Sequence, residues 1–191
     1  MVDSVAFSQK GVILNACCLI NLYASRYLGS ILEALPVPVM VAADVCEHEV
    51  LRVYSEGFGG EGLVPERIEL QPLLDVGLLA TASPSSDAEL TSVVELAAVS
   101  EEDADAFTAA LALHRRWAIG VDDPKAAALF RRKAPHLQLL STPLFVKQWT
   151  ERTDPSPETV RTVLRNIQRY AKYAIPPHHA LYTWWRGYLD G

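Results

Sequence analysis

The sequence predicts an α/β fold in which a central, mostly parallel sheet is flanked by helices and followed by a helical C-terminal extension. The apolar run Val12–Leu14 suits a strand buried on both faces, and Leu19, Leu22 and Tyr23 follow it at helical spacing. The same alternation of short apolar runs and helical patterns continues to about residue 150. Such alternation is typical of parallel strands joined by helical crossovers.

The predicted elements follow in chain order. Strands are expected at residues 12–15, 35–41 (after a turn containing two prolines), 117–121 and 137–140. Helices are expected at residues 17–23, 26–35, 43–54, 88–98, 101–114, 124–133 and 143–150. Residues 55–65 are predicted to form a loop, with short extended pieces at 67–70 and 77–82.

Local signals mark several of the helix ends. Ser100 can cap the helix at 101–114, whose first turn is acidic, and Pro124 occupies a favoured first helical position. In the tail, Pro157 begins a helix and the Pro176–Pro177 pair separates it from a last aromatic helix. We therefore expect an α/β domain at residues 1–153 and a helical extension at 154–191 that packs on the same domain.

Charge is divided unevenly along the chain. The net charge is -6, yet residues 1–112 carry 4 Lys and Arg against 17 Asp and Glu, whereas residues 113–191 carry 13 against 6. An acidic half permits a cation site, and a basic half permits a surface that faces a polyanion. Opposite surfaces that keep the protein soluble or face a protein partner explain the same division.

The three cysteines favour a reduced, cytoplasmic protein. Adjacent Cys17 and Cys18 do not readily pair with each other, and small buried hydrophobic side chains are the simple interpretation of all three. No apolar run approaches the roughly 20 residues of a membrane span, so no membrane association is expected. We also expect no signal peptide at the N-terminus.

Polar residues at strand ends and helix starts predict an acidic site. Asn15 ends the first strand, Glu49 lies on the apolar face of the helix after the second, and Asp103 lies in a first helical turn. Asp122 and Asp123 end the strand at 117–121. Clustered carboxylates are tolerated mainly when a cation neutralises them, and oxygen ligands suit Mg²⁺ or Mn²⁺. Such a metal can activate water for attack on a phosphodiester.

Each of these residues also has an ordinary structural explanation. Glu49 fits a helix flank, Asp103 fits stabilisation of a helix N-terminus, and Asp122 or Asp123 fits a helix cap. Asn15 fits a turn at a strand end. Asp105, two residues after Asp103, falls on a different helical face and is left out of the predicted site.

Four stretches in the right order resemble the PIN-domain family, the nuclease fold of toxins from bacterial toxin–antitoxin pairs and of RNA-processing nucleases. They are VILNACCLINL at 12–22, ADVCEHEV at 43–50, DADAFTAALA at 103–112 and IGVDDPKA at 119–126, and LLSTPL at 139–144 resembles the last strand and helix. The resemblance implies a three-layer PIN-like domain. It places the catalytic acids at Glu49, Asp103 and Asp123, with Asn15 and Asp122 completing the metal ligands.

Asn15 stands where the family has a metal-binding Asp. An amide keeps one oxygen ligand but carries no negative charge, so divalent cations should bind more weakly and catalysis is placed in doubt. Val121 also departs from the family, which often has Thr or Ser there. Two hypotheses follow: a metal-dependent ribonuclease, such as the toxin of a toxin–antitoxin pair, or a catalytically degenerate domain that binds RNA or a protein partner such as an antitoxin. An interaction domain without a nucleic-acid role is the third.

Basic and aromatic side chains in the second half form candidate interfaces. Residues expected to contact RNA phosphates are Arg131, Arg132, Arg161, Arg165, Arg169 and Lys172. A solvated helix face explains the tail stripe equally. The last helix carries Trp184, Trp185 and Tyr188, which fit base stacking, packing onto the core or a homodimer contact. His178 and His179 fit surface or cap positions better than metal ligation.

Overall fold

Short strands form two sheets in the computed structural model, which describes residues 7–48, 51–57, 62–100 and 103–191. In chain order the strands are β1 (Val12–Leu14), β2 (Val39–Ala42), β3 (Arg52–Glu56), β4 (Leu63–Arg67), β5 (Ala80–Ala82), β6 (Ala118–Gly120) and β7 (Leu139–Leu140). The helices are α1 (Ala16–Ala24), α2 (Leu28–Glu33), α3 (Ala43–His48), α4 (Gln71–Asp75), α5 (Asp87–Ala97), α6 (Asp103–Arg115), α7 (Pro124–Lys133), α8 (Thr142–Thr153), α9 (Pro157–Tyr170) and α10 (Tyr182–Asp190).

The central sheet has the strand order β5-β2-β1-β6-β7, and every pairing in it is parallel. β1 is the middle strand, pairing Val12 with Val39 on one side and with Ala118 on the other. All three residues of β1 are fully buried, as the continuous apolar run predicts. The α/β class with a parallel sheet flanked by helices is therefore confirmed.

Helices pack in two groups around this sheet. In one group, α1 contacts α2, α8 and α9, and in the other, α6 contacts α3, α5 and the central strands. α6 is rich in alanine, and residues 108–112 within it are all buried. Small side chains allow this helix to lie close to the strands, which brings its N-terminal turns to the carboxyl end of β1.

Gly120 allows the close approach of β1 and β6 at that same end. A Cβ atom at this position would lie 2.6 Å from Leu14 Cδ2 and 3.1 Å from the Phe145 ring. Both contacts are shorter than packed carbon atoms accept. The absence of a side chain therefore lets Leu14 and Phe145 pack closely against the end of β6.

β3 and β4 pair as an antiparallel hairpin, and the predicted helix over 43–54 and loop over 55–65 are wrong where these two strands lie. α3 has its last described residue at His48, and β3 pairs with β4, with Tyr54 opposite Pro65. Burial alternates along β3, since Leu51 and Val53 are buried while Arg52 and Tyr54 are exposed. That period of two is the signature of a strand, and it overrides the helical spacing seen earlier in the segment.

The C-terminal helices pack onto the sheet domain. α9 contacts α1, β3 and α10, and its buried face carries Val160, Val163, Leu164 and Ile167. Asn166 reaches back to the Ser25 carbonyl oxygen with an N···O distance of 3.1 Å. Trp185 of α10 is fully buried, with its ring 5.8 Å from the Tyr173 ring. This side chain therefore packs the last helix onto the protein.

None of the helices in the described part of the chain is long and apolar enough to cross a membrane.

A buried ion pair joins the start of α5 to the end of α6. Glu89 is 4% exposed and receives hydrogen bonds from Arg115 Nε at 2.8 Å and from the Ser85 backbone N–H at 2.7 Å. The hydrogen bond from Arg115 is the largest of the effects on the pKa of Glu89, which is lowered from 4.5 to about 2. Because the folded-state pKa lies below the unfolded one, this carboxylate stabilises the fold above about pH 4.5, and the contribution is lost as pH falls toward 2.

Glu89→Gln is expected to lower the free energy of unfolding at pH 7 by about 2–3 kcal/mol, because it leaves Arg115 without its charged partner. Urea denaturation at a series of pH values measures this. The gap between wild type and variant should narrow as pH falls below 4.5. Glu95→Gln, at an exposed position of the same helix, should change stability little. A pH-independent gap would contradict the role given to the charge.

Candidate functional site

The strands that follow β1 are added first on one side of it and later on the other, and this switch in strand order creates a crevice beside β1. From β1 the chain adds β2 and β5 on one side, while β6 and β7 lie on the other. Ligands of open α/β sheets bind at such a switch point, outside the carboxyl ends of the strands. Asn15 follows β1 at this place, and its backbone N–H donates to the Gly120 carbonyl oxygen of β6 over 2.9 Å.

Asn15 turns its side chain toward α6. It occupies the N-cap position of α1 but makes no capping hydrogen bond there. Instead its Nδ2 donates to Asp105 Oδ1 over 2.7 Å, and the two residues are 3% and 8% exposed. The amide N–H therefore supplies the positive end of a dipole to a carboxylate that is almost out of contact with water.

Asp105 is the acid that sequence reasoning left out of the site. Asp103 was preferred because it begins the helix, and α6 does begin at Asp103. The side chain of Asp103 lies outside the described part of the structure. Residues 104–106 are all buried, so α6 shows no single apolar face there from which its orientation could be read. The sequence feature that could have identified Asp105 is its position between two alanines, about half a turn after the start of the helix.

A cavity of about 540 Å³ opens beside the Asn15–Asp105 pair. We call it the switch-point cavity. Its polar and charged lining residues are Asn15, Cys17, Ser100, Asp105, Asp123, Lys125 and Arg132. The acidic half of the sequence thus supplies one wall and the basic half, through α7, supplies the other.

Asp123 has a structural role as well as a place in this cavity. It is the N-cap of α7, and its Oδ1 accepts the Ala126 backbone N–H at 2.8 Å. The helix-cap explanation is therefore confirmed for this residue. The Asp123 side chain is exposed.

Asp122 does not face the switch-point cavity and instead ties elements together. Its carboxylate accepts hydrogen bonds from Asn21 Nδ2 at 2.9 Å, from the Thr142 backbone N–H at 2.9 Å and from the Thr142 hydroxyl. Burial raises the pKa of the Tyr173 hydroxyl, and the charge of the Asp122 carboxylate raises it further. With both oxygens used by protein donors, Asp122 is a structural anchor.

Cys17 is a neutral lining group of the switch-point cavity. Burial, followed by the charge of Asp122, raises the pKa of its thiol to about 11. The thiol is therefore protonated at neutral pH and lacks the thiolate character of a nucleophile or a metal ligand. Its sulfur lies 3.4 Å from the Asp122 backbone nitrogen, which donates a hydrogen bond to it.

Of the basic residues predicted to contact RNA, two line cavities and three contact other parts of the protein. Arg132 lines the switch-point cavity, and Arg131 lines a second cavity on the other side of α7. Three tail residues contact the protein itself: Arg161 Nε with the Tyr188 carbonyl oxygen (2.8 Å), Arg169 with Glu56 (2.8 Å) and Lys172 above the Tyr54 ring (5.0 Å). Arg165 is exposed. The tail stripe is thus largely engaged in holding α9 against the hairpin and α10.

The described residues do not fit a tight divalent-metal site. Glu49 lies outside the described part of the chain, and within that part no three His, Cys, Asp or Glu side chains are grouped to hold a metal ion. The Asn15 amide already donates to Asp105 Oδ1, where a cation would bind. In addition, the two positive charges of Lys125 and Arg132 balance the two negative charges of Asp105 and Asp123 among the residues that line this cavity. Among the described residues, these carboxylates thus share the cavity with an amide donor and two cationic side chains.

No protein-family model matches this chain, and no curated protein shows a significant match to it. The PIN-family resemblance stays a prediction that rests on the motifs quoted above.

Asn15→Asp is expected to lower the free energy of unfolding by about 3 kcal/mol without metal, because it removes a buried charge-assisted hydrogen bond and places two carboxylates together. Mg²⁺ or Mn²⁺ should recover part of this loss, since the new pair of acids needs a cation. Thermal unfolding with and without each metal measures both effects.

Asn21→Asp provides the matched control, because Asn21 also is buried and also donates to an aspartate, but lies outside the switch-point cavity. It should destabilise the protein without recovery by metal. Equal stabilisation of wild type and Asn15→Asp by Mg²⁺ would contradict the poor fit of the present site to a metal.

Proposed function

We propose that the protein is a PIN-like domain whose switch-point cavity binds single-stranded RNA, and that it works as a binding or regulatory module instead of an efficient metal-dependent nuclease. The observation that carries this proposal is the 2.7 Å hydrogen bond from Asn15 to Asp105, in a cavity that also contains Lys125 and Arg132.

The hydrogen bond supports binding without metal chemistry. In an acid-lined nuclease site, a cation offsets neighbouring carboxylates and then activates water. Here a neutral amide takes the place beside Asp105 and satisfies it directly. The ground state of the site is therefore stable without a cation, and the free-energy gain from recruiting one is small.

The lining of the switch-point cavity supports a nucleic-acid ligand. Lys125 and Arg132 are exposed and lie seven positions apart on α7, which places them on one face of the helix. Cations in this arrangement suit successive phosphates of a strand. Ser100 and the exposed carboxylate of Asp123 lie among them and suit hydroxyl or base-edge groups. Recognition of a 2′-hydroxyl is what distinguishes RNA from DNA at such a site.

Lys125→Ala combined with Arg132→Ala is expected to weaken binding of a single-stranded oligouridylate by about tenfold or more, because two phosphate contacts are lost. Fluorescence anisotropy across a series of salt concentrations measures it. The slope of log affinity against log salt should fall by about 1.4, at about 0.7 per contact on a single strand.

Lys133→Ala combined with Arg152→Ala is the matched control, since it removes the same charge from exposed positions outside the switch-point cavity. Its effect on affinity should be small. If both double variants lose affinity equally, the interaction is unspecific attraction and the proposed interface is wrong.

A metal-dependent ribonuclease is the second candidate, and one observation favours it. Asn15, Asp105 and Asp123 come from three separate parts of the chain and line one cavity at the switch point. Under this alternative, Glu49 and Asp103 complete the ligands, Mg²⁺ supplies the activation of water, and Asn15 is a neutral ligand. A toxin with an antitoxin partner then becomes the biological setting that the motif resemblance implies.

Cleavage assays separate the two candidates. If the protein is a binding module, purified wild type should not cleave single-stranded RNA faster in Mg²⁺ or Mn²⁺ than Asp103→Asn or Asp105→Asn does. Metal-dependent cleavage by wild type that both variants lose would establish the nuclease. Equal cleavage by all three proteins would indicate a contaminating enzyme.

A further inference from the structure

A second cavity, of about 270 Å³, lies on the opposite side of α7 from the switch-point cavity. We call it the extension cavity, because the segment between α9 and α10 forms one of its walls. Its polar and charged lining residues are Asp122, Arg131, Ser141, Tyr173, His178 and His179. Three of these residues lie at or beyond the end of α9, so the C-terminal extension builds much of this cavity.

Hydrogen bonds around His179 fix which nitrogen of its ring carries a proton. The Leu181 backbone N–H donates to His179 Nδ1 over 3.0 Å, so Nδ1 must be the unprotonated nitrogen. In the neutral ring the proton is then on Nε2, which lies 2.8 Å from Ser141 Oγ. Burial lowers the pKa of His179, with a smaller opposing effect from Asp122, and this favours the neutral ring at neutral pH.

The tautomer determines the role of Ser141. Because His179 Nε2–H donates to Ser141 Oγ, the serine keeps its own hydroxyl proton for another acceptor. Ser141 is also the N-cap of α8 but makes no capping hydrogen bond with its side chain, and the Thr142 N–H at the start of this helix donates to Asp122. The Ser141 hydroxyl is thus a hydrogen-bond donor that the lining presents to the extension cavity.

The remaining charges in the extension cavity favour an anionic ligand. Asp122 is the acidic lining residue, and donors from Asn21 and Thr142 already engage both oxygens of its carboxylate. Arg131 is exposed on α7 at the cavity edge, and His178 is exposed on the facing segment. The Arg131 guanidinium and the Ser141 hydroxyl are therefore available to a ligand in this cavity, whereas the Asp122 carboxylate is occupied by hydrogen-bond donors of the protein.

We propose that the extension cavity is a phosphate-binding site in which the Arg131 guanidinium and the Ser141 hydroxyl hold the phosphate oxygens and His178 contacts its outer edge. The guanidinium provides paired donors that match phosphate geometry. The site itself does not depend on RNA binding. That its phosphate belongs to a strand crossing α7 rests on the proposed function, because Arg131 and Arg132 are adjacent and line opposite cavities.

Histidine ring signals in long-range ¹H–¹⁵N NMR spectra test this site directly. The free protein should show His179 with a proton on Nε2. Titration with inorganic phosphate should shift the His179 ring signals in wild type and in Arg132→Ala. The apparent affinity should fall about tenfold or more in Arg131→Ala and in Ser141→Ala, because each variant removes a direct contact.

The controls make each outcome decisive. No shift of His179 by phosphate in wild type overturns the site. Equal shifts in wild type, Arg131→Ala and Ser141→Ala overturn it as well, because the effect is then general to salt. Arg131→Ala and Arg132→Ala remove the same charge from neighbouring exposed residues, so a difference between them cannot be attributed to loss of net charge.

The source of the phosphate is separated by a second titration, with a single-stranded oligouridylate. A shift of His179 by the oligouridylate, weakened by Arg132→Ala although free phosphate binding is not, supports a strand that crosses α7. A shift with inorganic phosphate alone assigns the site to free phosphate or a phosphomonoester. That result overturns the strand as the source but supports the phosphate site, and RNA binding at the switch-point cavity is judged separately by the anisotropy measurement.

Discussion

The Asp122 carboxylate is the point at which separate parts of this fold are joined. It lies just after the end of β6 and accepts hydrogen bonds from Asn21 of α1 and from Thr142 at the start of α8. A buried or half-buried carboxylate needs such donors, and each of them is supplied by a different element. Removing the carboxylate would leave several donors unpaired at once.

The fold was largely predictable because its signals are local and repeated. Buried parallel strands appear as continuous apolar runs, and the helices between them carry start signals such as Pro124, so the α/β class with a parallel sheet followed from pattern alone. The hairpin of β3 and β4 was not predictable in the same way. Its strands are stabilised by pairing with each other and by contacts with α1 and α9, which are distant in sequence. The apolar residues before residue 51 recur at helical spacing. This local pattern predicts a helix where long-range contacts favour a strand.

The candidate site was only partly predictable. Asn15 and Asp123 lie where a strand ends, and that position brought both to the switch-point cavity. The surroundings of Asp105 and Asp122 were not predictable, because the direction of a side chain depends on helix rotation and on competing donors. α6 has no single apolar face near its start, so its rotation is set by packing against the sheet. Asp122 and Asp123 are adjacent and chemically identical, yet one anchors helices and the other caps α7.

α7 places consecutive residues in different cavities, and this makes its length more constrained than its composition. Pro124 and Arg131 line the extension cavity, whereas Lys125 and Arg132 line the switch-point cavity. One residue advances an α-helix by about 100°, so an insertion or deletion between Lys125 and Arg131 would rotate both arginines away from their cavities. Related chains with this architecture should therefore vary freely at exposed α7 positions while conserving the number of residues between the aspartate pair and the arginine pair.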